Sequence, residues 1–296
     1  MEFITGINDK DRRLDRILRK ALPDHPLALI HRLLRTGKVL ADGKPAKAQD
    51  RLDCGVKISI PSMKDAKKPQ LKPDNCALPE IIWESSGLLA VNKPAGLAVH
   101  GSGSLDTMVN SYLAGKLPES LSFKPGPLHR LDKPSSGIVV FSTSLEGARL
   151  FTLLMRERKV RKTYLAIVEG GPPDLLENEV IWQDELVRDH DRKKTYISQE
   201  SGKTAITKVK PLAYKDGYSL IQAEIVTGRT HQIRAQAASH GYPLLGDRKY
   251  GGQAEGSKHK GHFFLHAWKL DFLEYSIVAP LPDEFRERIR IFTALT

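Results

Sequence analysis

Pro127-Leu128-His129-Arg130-Leu131-Asp132-Lys133-Pro134-Ser135-Ser136-Gly137 runs directly into Ile138-Val139-Val140-Phe141. A polar loop punctuated by Pro and Gly, followed by a short all-apolar run, predicts a buried strand with chemistry-bearing side chains at its head. Working outward, Leu88-Leu89-Ala90-Val91 is a second apolar run, and Thr163 to Val168 and Ser219 to Val226 alternate as strands do. Thr143-Ser144-Leu145-Glu146 has capping-box spacing and opens a helix to about Arg158. Thr230 is placed to cap another helix, His231 to His240, with Gly241 as its stop. Strands outnumber helices and follow one another directly, which predicts an α+β fold with a mainly antiparallel, mixed sheet over residues 80–296.

Upstream, residues 63–79 are rich in Lys and Pro and nearly free of large apolar side chains, and they read as a linker. Residues 1–62 form a smaller α/β unit. Leu14, Ile17 and Leu18 mark one amphipathic helix, and Leu27 to Arg35 predicts a second, stopped by Gly37. Val39-Leu40-Ala41 leads into an Asp42-Gly43 turn, and Val56 to Ile60 is another strand. Arg12, Arg13, Arg16, Arg19, Lys20, His31, Arg32, Arg35 and Lys38 stud this unit; they are either the wet faces of surface helices or an RNA-binding face.

The whole chain of 296 residues carries a formal net charge of +11. A basic surface attracts polyanions, nucleic-acid phosphates above all, although a merely soluble basic protein has the same balance. No run is long and apolar enough to span a bilayer, and no secretory leader is visible at Met1, so a cytoplasmic protein is expected. Cys54 and Cys76 make no metal-type spacing and read as free thiols.

Four further segments hold candidate chemistry. Thr227-Gly228-Arg229-Thr230-His231-Gln232-Ile233-Arg234 enters a helix whose N-terminal amides, with Arg229, suit a phosphate. Lys162-Thr163-Tyr164-Leu165 starts a strand in which Tyr164 faces the same way as Ala166 and Val168. Asn92-Lys93-Pro94-Ala95-Gly96 breaks a strand, and Gly241 to Gly252 is glycine-rich without the Lys-Ser/Thr ending of a phosphate-binding loop. Each has an ordinary structural reading: a turn for Asp132, a surface ion pair for Arg234, a core aromatic for Tyr164.

Taken together and in this order, the five segments resemble the ribosomal large-subunit class of pseudouridine synthases (the RluA type, with the RluC/RluD-like members nearest). Residues 1–62, through Leu14-Asp15 and the step from Gly37-Lys38-Val39 into Asp42-Gly43-Lys44, resemble the S-four-type RNA-binding module, although Val56 follows Gly55 where that family often has Asp. Ser135 stands where the synthases usually have Thr. The resemblance implies an isomerase that detaches uracil from ribose at N1 and rejoins it through C5, with Asp132 as the essential carboxylate. Asp132 would act as a nucleophile on the sugar or as a base toward a sugar proton. It must stay ionised beneath a nucleotide, so a cation must offset its desolvation, and the resemblance assigns that part to Arg234. Tyr164 would pack on the target base, Ile233 would wall the pocket, and Arg130 would fill the space of a flipped base. His129, Arg229 and Lys162 complete the expected substrate-binding set.

Isomerisation balances atoms and electrons, so neither metal nor organic cofactor is expected. The implied partner is RNA, 23S ribosomal RNA or a large-subunit assembly intermediate, with tRNA as the alternative, and the chain is expected to act as a monomer. A glycosidase would also set a carboxylate at a glycosidic bond, but it needs a second carboxyl group that these segments do not supply. A non-enzymatic RNA-binding or ribosome-assembly protein would explain the charge and leave Asp132, Tyr164 and Arg234 without a joint role.

Overall fold

The computed structural model describes residues 1–61, 80–171, 179–198, 200–253 and 262–293. The expected linker at 63–79, with Cys76, lies outside the described residues, and Cys54 is an exposed free thiol. No helix among the described residues is long and apolar enough to cross a membrane.

The N-terminal unit builds its own core. Helices Leu14–Ala21 and Leu27–Arg35 bury Leu14, Ile17, Leu18, Ile30, Leu33 and Leu34 against Val39, Ile58 and Ile60. The Asp42-Gly43 turn has φ of 46° and 78°, the doubly left-handed geometry of a tight hairpin, and it pairs Leu40 with Pro45 and Ala41 with Lys44. Glu2–Ile4, unmarked in the sequence reading, pairs with Lys57–Ser59 and closes a four-stranded sheet.

The rest is organised on an 11-stranded sheet. Its main path runs Lys194–Ile197, Val180–Asp189, Lys203–Lys215, Tyr218–Ile225, Arg161–Glu169, Leu265–Phe272, Ser136–Ser142, Leu88–Lys93 and Glu80–Ser85. Among the described residues every strand pairing in this sheet is antiparallel except that of Ser136–Ser142 with Leu265–Phe272. Ser136–Ser142 is buried on both faces, which is why it reads as a continuous apolar run. One face packs Val139 and Phe141 with Tyr164, Ile221 and Ile233; the other packs Ile138 and Val140 with Phe151 and Leu154 of the helix Leu145–Arg156.

Two helix starts differ from expectation. Ser144 rather than Thr143 caps Leu145–Arg156, its Oγ accepting from Gly147 N. Thr230 caps nothing: the later helix is Gln232–Ser239, entered through His231 at φ 56°. Gly241, at φ +87°, ends it as expected, with Gly241 N and Tyr242 N donating to Ala238 O and Ala237 O. At the head of the central strand, Gly137 has φ +108°, and a Cβ there would meet Ala267 O at 2.2 Å, so only glycine fits.

The two units are joined by a buried carboxylate. Asp9 is fully buried and accepts from Gly6 N, Ser120 Oγ, Leu121 N, Ser122 N and Ser122 Oγ. Arg12 Nη1 donates to Ser122 O and Oγ, and Asn8 Oδ1 accepts from Leu145 N. A Cβ on Gly6 would sit 2.0 Å from Glu119 O, so the two backbones touch. Burial pushes the Asp9 carboxyl up, but hydrogen bonds from Ser122, Leu121, Gly6 and Ser120 outweigh it and hold the pKa below its ordinary value of 3.8. A depressed folded-state pKa stabilises above the unfolded value and loses that contribution as pH falls through the folded one. Asp9→Ala should therefore cost roughly 2–3 kcal/mol by urea denaturation at neutral pH, from lost bonds to a charged acceptor. The gap between wild type and variant should close on acidification below about pH 4.

Candidate active site

The loop before Ser136–Ser142 is pinned at both ends. At its start, Leu128 N donates to Val140 O, and His129 Nε2 accepts from Val140 N at 3.1 Å while its ring stacks on Phe151. Burial, with Lys162 adding to it, lowers the His129 pKa to about 4, so the ring is neutral and occupied with the strand. At the other end, Ser136 Oγ meets His266 Nδ1 at 2.8 Å. From behind, the fully buried Lys93 donates to Pro94 O, Leu97 O and Lys133 O at 2.9, 2.8 and 3.2 Å. Its pKa falls to about 8 through burial, opposed by the charge of Asp132. The loop that carries Asp132 is thus a fixed platform.

The Asp132 carboxylate does not turn back on its own backbone. Its Oδ2 accepts from Arg234 Nη1 at 2.8 Å. Arg234 reaches this point from the first turn of Gln232–Ser239 and is itself gripped by Asp247, Nε to Oδ2 at 2.7 Å and Nη2 to Oδ1 at 2.9 Å. Phe263 and Tyr250 place their rings 4.4 and 4.9 Å from the guanidinium carbon. Burial opposes the charge on Arg234, yet bonds and attraction from Asp247 and Asp132 win and raise its pKa above the ordinary value. Side-chain exposures of 7% for Arg234, 18% for Asp132 and 2% for Asp247 grade the group from core to cavity.

Arg130, Asp132, Tyr164, Arg229, Ile233 and Arg234 line one cavity of about 80 Å³. Tyr164 is buried in Arg161–Glu169 opposite Ala267, at a bulge; burial first, and the Asp132 charge second, push its pKa up and keep the phenol protonated. Arg130 is exposed and makes no hydrogen bond or ion pair among the described residues. Arg229 fixes the helix entry: its N–H donates to Gln232 Oε1 and its Nε to Thr204 O, with the side chain at the mouth. His129 and Lys162 do not line the cavity. A Cβ on Gly228 would lie 3.8 Å from Lys162 Nζ, and burial lowers that amine's pKa. Among the described residues no group of three or more His, Cys, Asp or Glu could hold a metal ion.

The profile of the family described as RNA pseudouridylate synthase matches residues 87–239, the span that holds Asp132, Tyr164 and Arg234. This chain belongs to that family. The ribosomal large subunit pseudouridine synthase D of Neisseria meningitidis is 32% identical over 290 residues, 92% of this chain and 76% of that protein. The synthase C of Vibrio parahaemolyticus is 32% identical over 295 residues, 93% of this chain and 88% of the relative. Among solved structures, human RNA pseudouridylate synthase domain containing 4 aligns with a TM-score of 0.58 at 23% identity, over 72% of this chain and 92% of that one, a likeness of fold.

In and behind the synthase cavity stand residues to which the sequence reading gave no role. His231 lines it, with Nε2 3.6 Å from Asp132 Oδ2 and Nδ1 2.8 Å from Tyr250 Oη. Asp247 and Tyr250 come from the glycine-rich segment, and Lys93 from the Pro-broken strand. A lysine ending an apolar strand was the only local signal among them; the others depend on the fold folding back on itself.

Removing Asp247 would leave Arg234 buried with one partner instead of two. Asp247→Ala should destabilise the protein by about 3 kcal/mol or more, as breaking a buried pair from one side does. Urea denaturation of the wild type and variant at neutral pH checks it. Loss below about 1 kcal/mol would mean that the pair is solvated.

Proposed function

We propose that this synthase isomerises particular uridines of large-subunit ribosomal RNA to pseudouridine, with Asp132 as the reacting carboxylate. One observation carries the assignment of Asp132: it lines the cavity with only Oδ2 engaged by Arg234, while Oδ1 has no hydrogen-bond partner among the described residues. A carboxylate held by one oxygen keeps its direction and leaves the other free to react. In the reaction the N1–C1′ bond breaks and a C5–C1′ bond forms, and the C5 proton leaves while N1 gains one. Asp132 either attacks C1′ or takes a sugar proton, and both routes need the ionised form that Arg234 supports. Tyr164 packs on the base, Ile233 walls it, and Arg130 is free to enter the space that a flipped base leaves. Arg229 at the mouth serves a flanking phosphate. His129 and Lys162 support the floor and loop from outside the lining. No metal or organic cofactor is called for.

The choice of RNA rests on the relatives, which are named as ribosomal large subunit synthases, and on the basic balance of +11. Residues 1–62 serve as an S-four-like RNA-binding module, joined through 63–79 to a catalytic domain over 80–296. One chain supplies the whole cavity, in keeping with a monomer acting in the cytoplasm.

RNA tritiated at uracil C5 tests the reading. Wild type should release tritium from 23S ribosomal RNA, and Asp132→Asn should release none above background while binding the RNA about as well. Equal release by the two proteins removes Asp132 from the chemistry. Release from tRNA alone overturns the substrate and leaves the reaction standing.

A further inference from the structure

A chain of hydrogen bonds behind His231 decides which ring nitrogen carries the proton. Thr195 N donates to Tyr250 Oη at 2.8 Å, so the phenol's own hydrogen is available for His231 Nδ1, also at 2.8 Å. Arg188 Nη1, which can only donate, stands 3.4 Å from the same nitrogen. Nδ1 therefore faces two donors and must accept. In a neutral imidazole the proton then sits on Nε2.

The ring is held neutral. Burial lowers its pKa to about 4; Asp132 favours the charged form, but Arg234, Arg188 and Lys249 oppose it. Burial also keeps Tyr250 protonated. Nε2 faces Asp132 Oδ2 at 3.6 Å, beyond hydrogen-bond range, and that oxygen is already engaged by Arg234. A fixed N–H donor thus stands at the cavity beside the reacting carboxylate with no acceptor among the described residues. The backbone at His231, left-handed at φ 56°, is what turns the ring into this position. Such strain is held by the surrounding structure, here by Gln232, whose side chain bonds Ile206 O, Thr207 Oγ1, Thr227 Oγ1 and Arg229 N.

We propose that His231 is a catalytic residue of this synthase, donating its Nε2–H to a carbonyl oxygen of the departing uracil. The proposal rests on the pseudouridine reading above. When N1–C1′ breaks, its electron pair stays with uracil and spreads over N1 and the two carbonyls. The charge is transient, since C5 then bonds to C1′. The carbonyl next to N1 lies close to C1′ and hence to Asp132, the place that Nε2–H faces. A hydrogen bond there strengthens as charge develops, and no proton changes hands. Neutrality is the point of the arrangement. An imidazolium would pair with Asp132 and blunt it, whereas a neutral donor serves the leaving base and leaves the carboxylate charged.

The test compares single-turnover rates on one RNA made with uridine or with 5-fluorouridine, following loss of the starting nucleoside. Fluorine at C5 stabilises the uracil anion and lessens its need for a donor. His231→Phe should slow uridine about 100-fold and 5-fluorouridine about 10-fold or less, the first being the usual effect of losing one such donor. His231→Gln, which keeps an N–H, should recover part of the uridine rate. The ratio of the two rates within one variant does not depend on how much of it is folded, so a poorly folding variant still reports. Equal slowing on both RNAs makes His231 a structural residue, and no slowing removes it from the reaction; either overturns the proposal. Tritium release by wild type separates the two readings. If wild type releases none, the pseudouridine reading fails and takes this one with it; if it releases tritium and the ratio is unchanged, only the role of His231 fails.

Discussion

Asp132, Arg234 and Asp247 form a line of two carboxylates about one guanidinium, and the arrangement of the domain serves to hold that line. Each member comes from a different part of the chain: the loop before the central strand, the helix Gln232–Ser239, and the turn before Arg248–Tyr250. A buried charge missing its partner is far costlier than a buried pair. The three elements are therefore bound to one relative position or the group does not form. Asp247 takes Nε and Nη2 of the guanidinium, and Nη1, on its other edge, sets the direction of Asp132.

The surrounding packing explains why the line points into a cavity. Ser136–Ser142 and Leu265–Phe272 make the one parallel pairing among the described residues, with Ser136 and Gly137 in register opposite His266 and Ala267. Here Ala267 O occupies the space of a side chain on Gly137, so the Asp132 loop leaves the sheet at its middle and not at an edge. Lys93 then holds Lys133 O from beneath, a buried ammonium used as a bracket between two backbones.

Much of this was legible from residues alone. Ser136–Ser142 announces itself by an apolar run because both its faces are buried, whereas Arg161–Glu169, expected to alternate, is buried at every position from Thr163 to Val168. The pairing of Asp132 with Arg234, 102 residues apart, was expected only through resemblance, since no local spacing encodes it. His129 lay outside reach for the same reason. Its neighbour relations along the chain match those of Arg130 and Asp132, yet its ring turns to Val140 and Phe151. The start of Gln232–Ser239 misled because Thr230 is a good cap by type, while Gln232 satisfies Arg229 N from inside the helix. The docking of the N-terminal unit through Asp9 was invisible too, since a carboxylate shows its partners only once Ser120 to Ser122 are brought to it.

Charge at the cavity follows from the same line. Two carboxylates about one guanidinium leave a net negative charge where a polyanion must approach, which alone would repel it. The synthase sets Arg188 beside His231, with Arg130 and Arg229 on the cavity lining. None of the three is ion-paired to Asp132 in the described structure, so they can meet phosphates without neutralising it. On the proposed reading, attraction for the RNA and the charge needed for chemistry are carried by separate groups. On that reading the separation holds only while Asp247 keeps Arg234 committed, which would make the buried ion pair a condition of substrate binding as well as of catalysis.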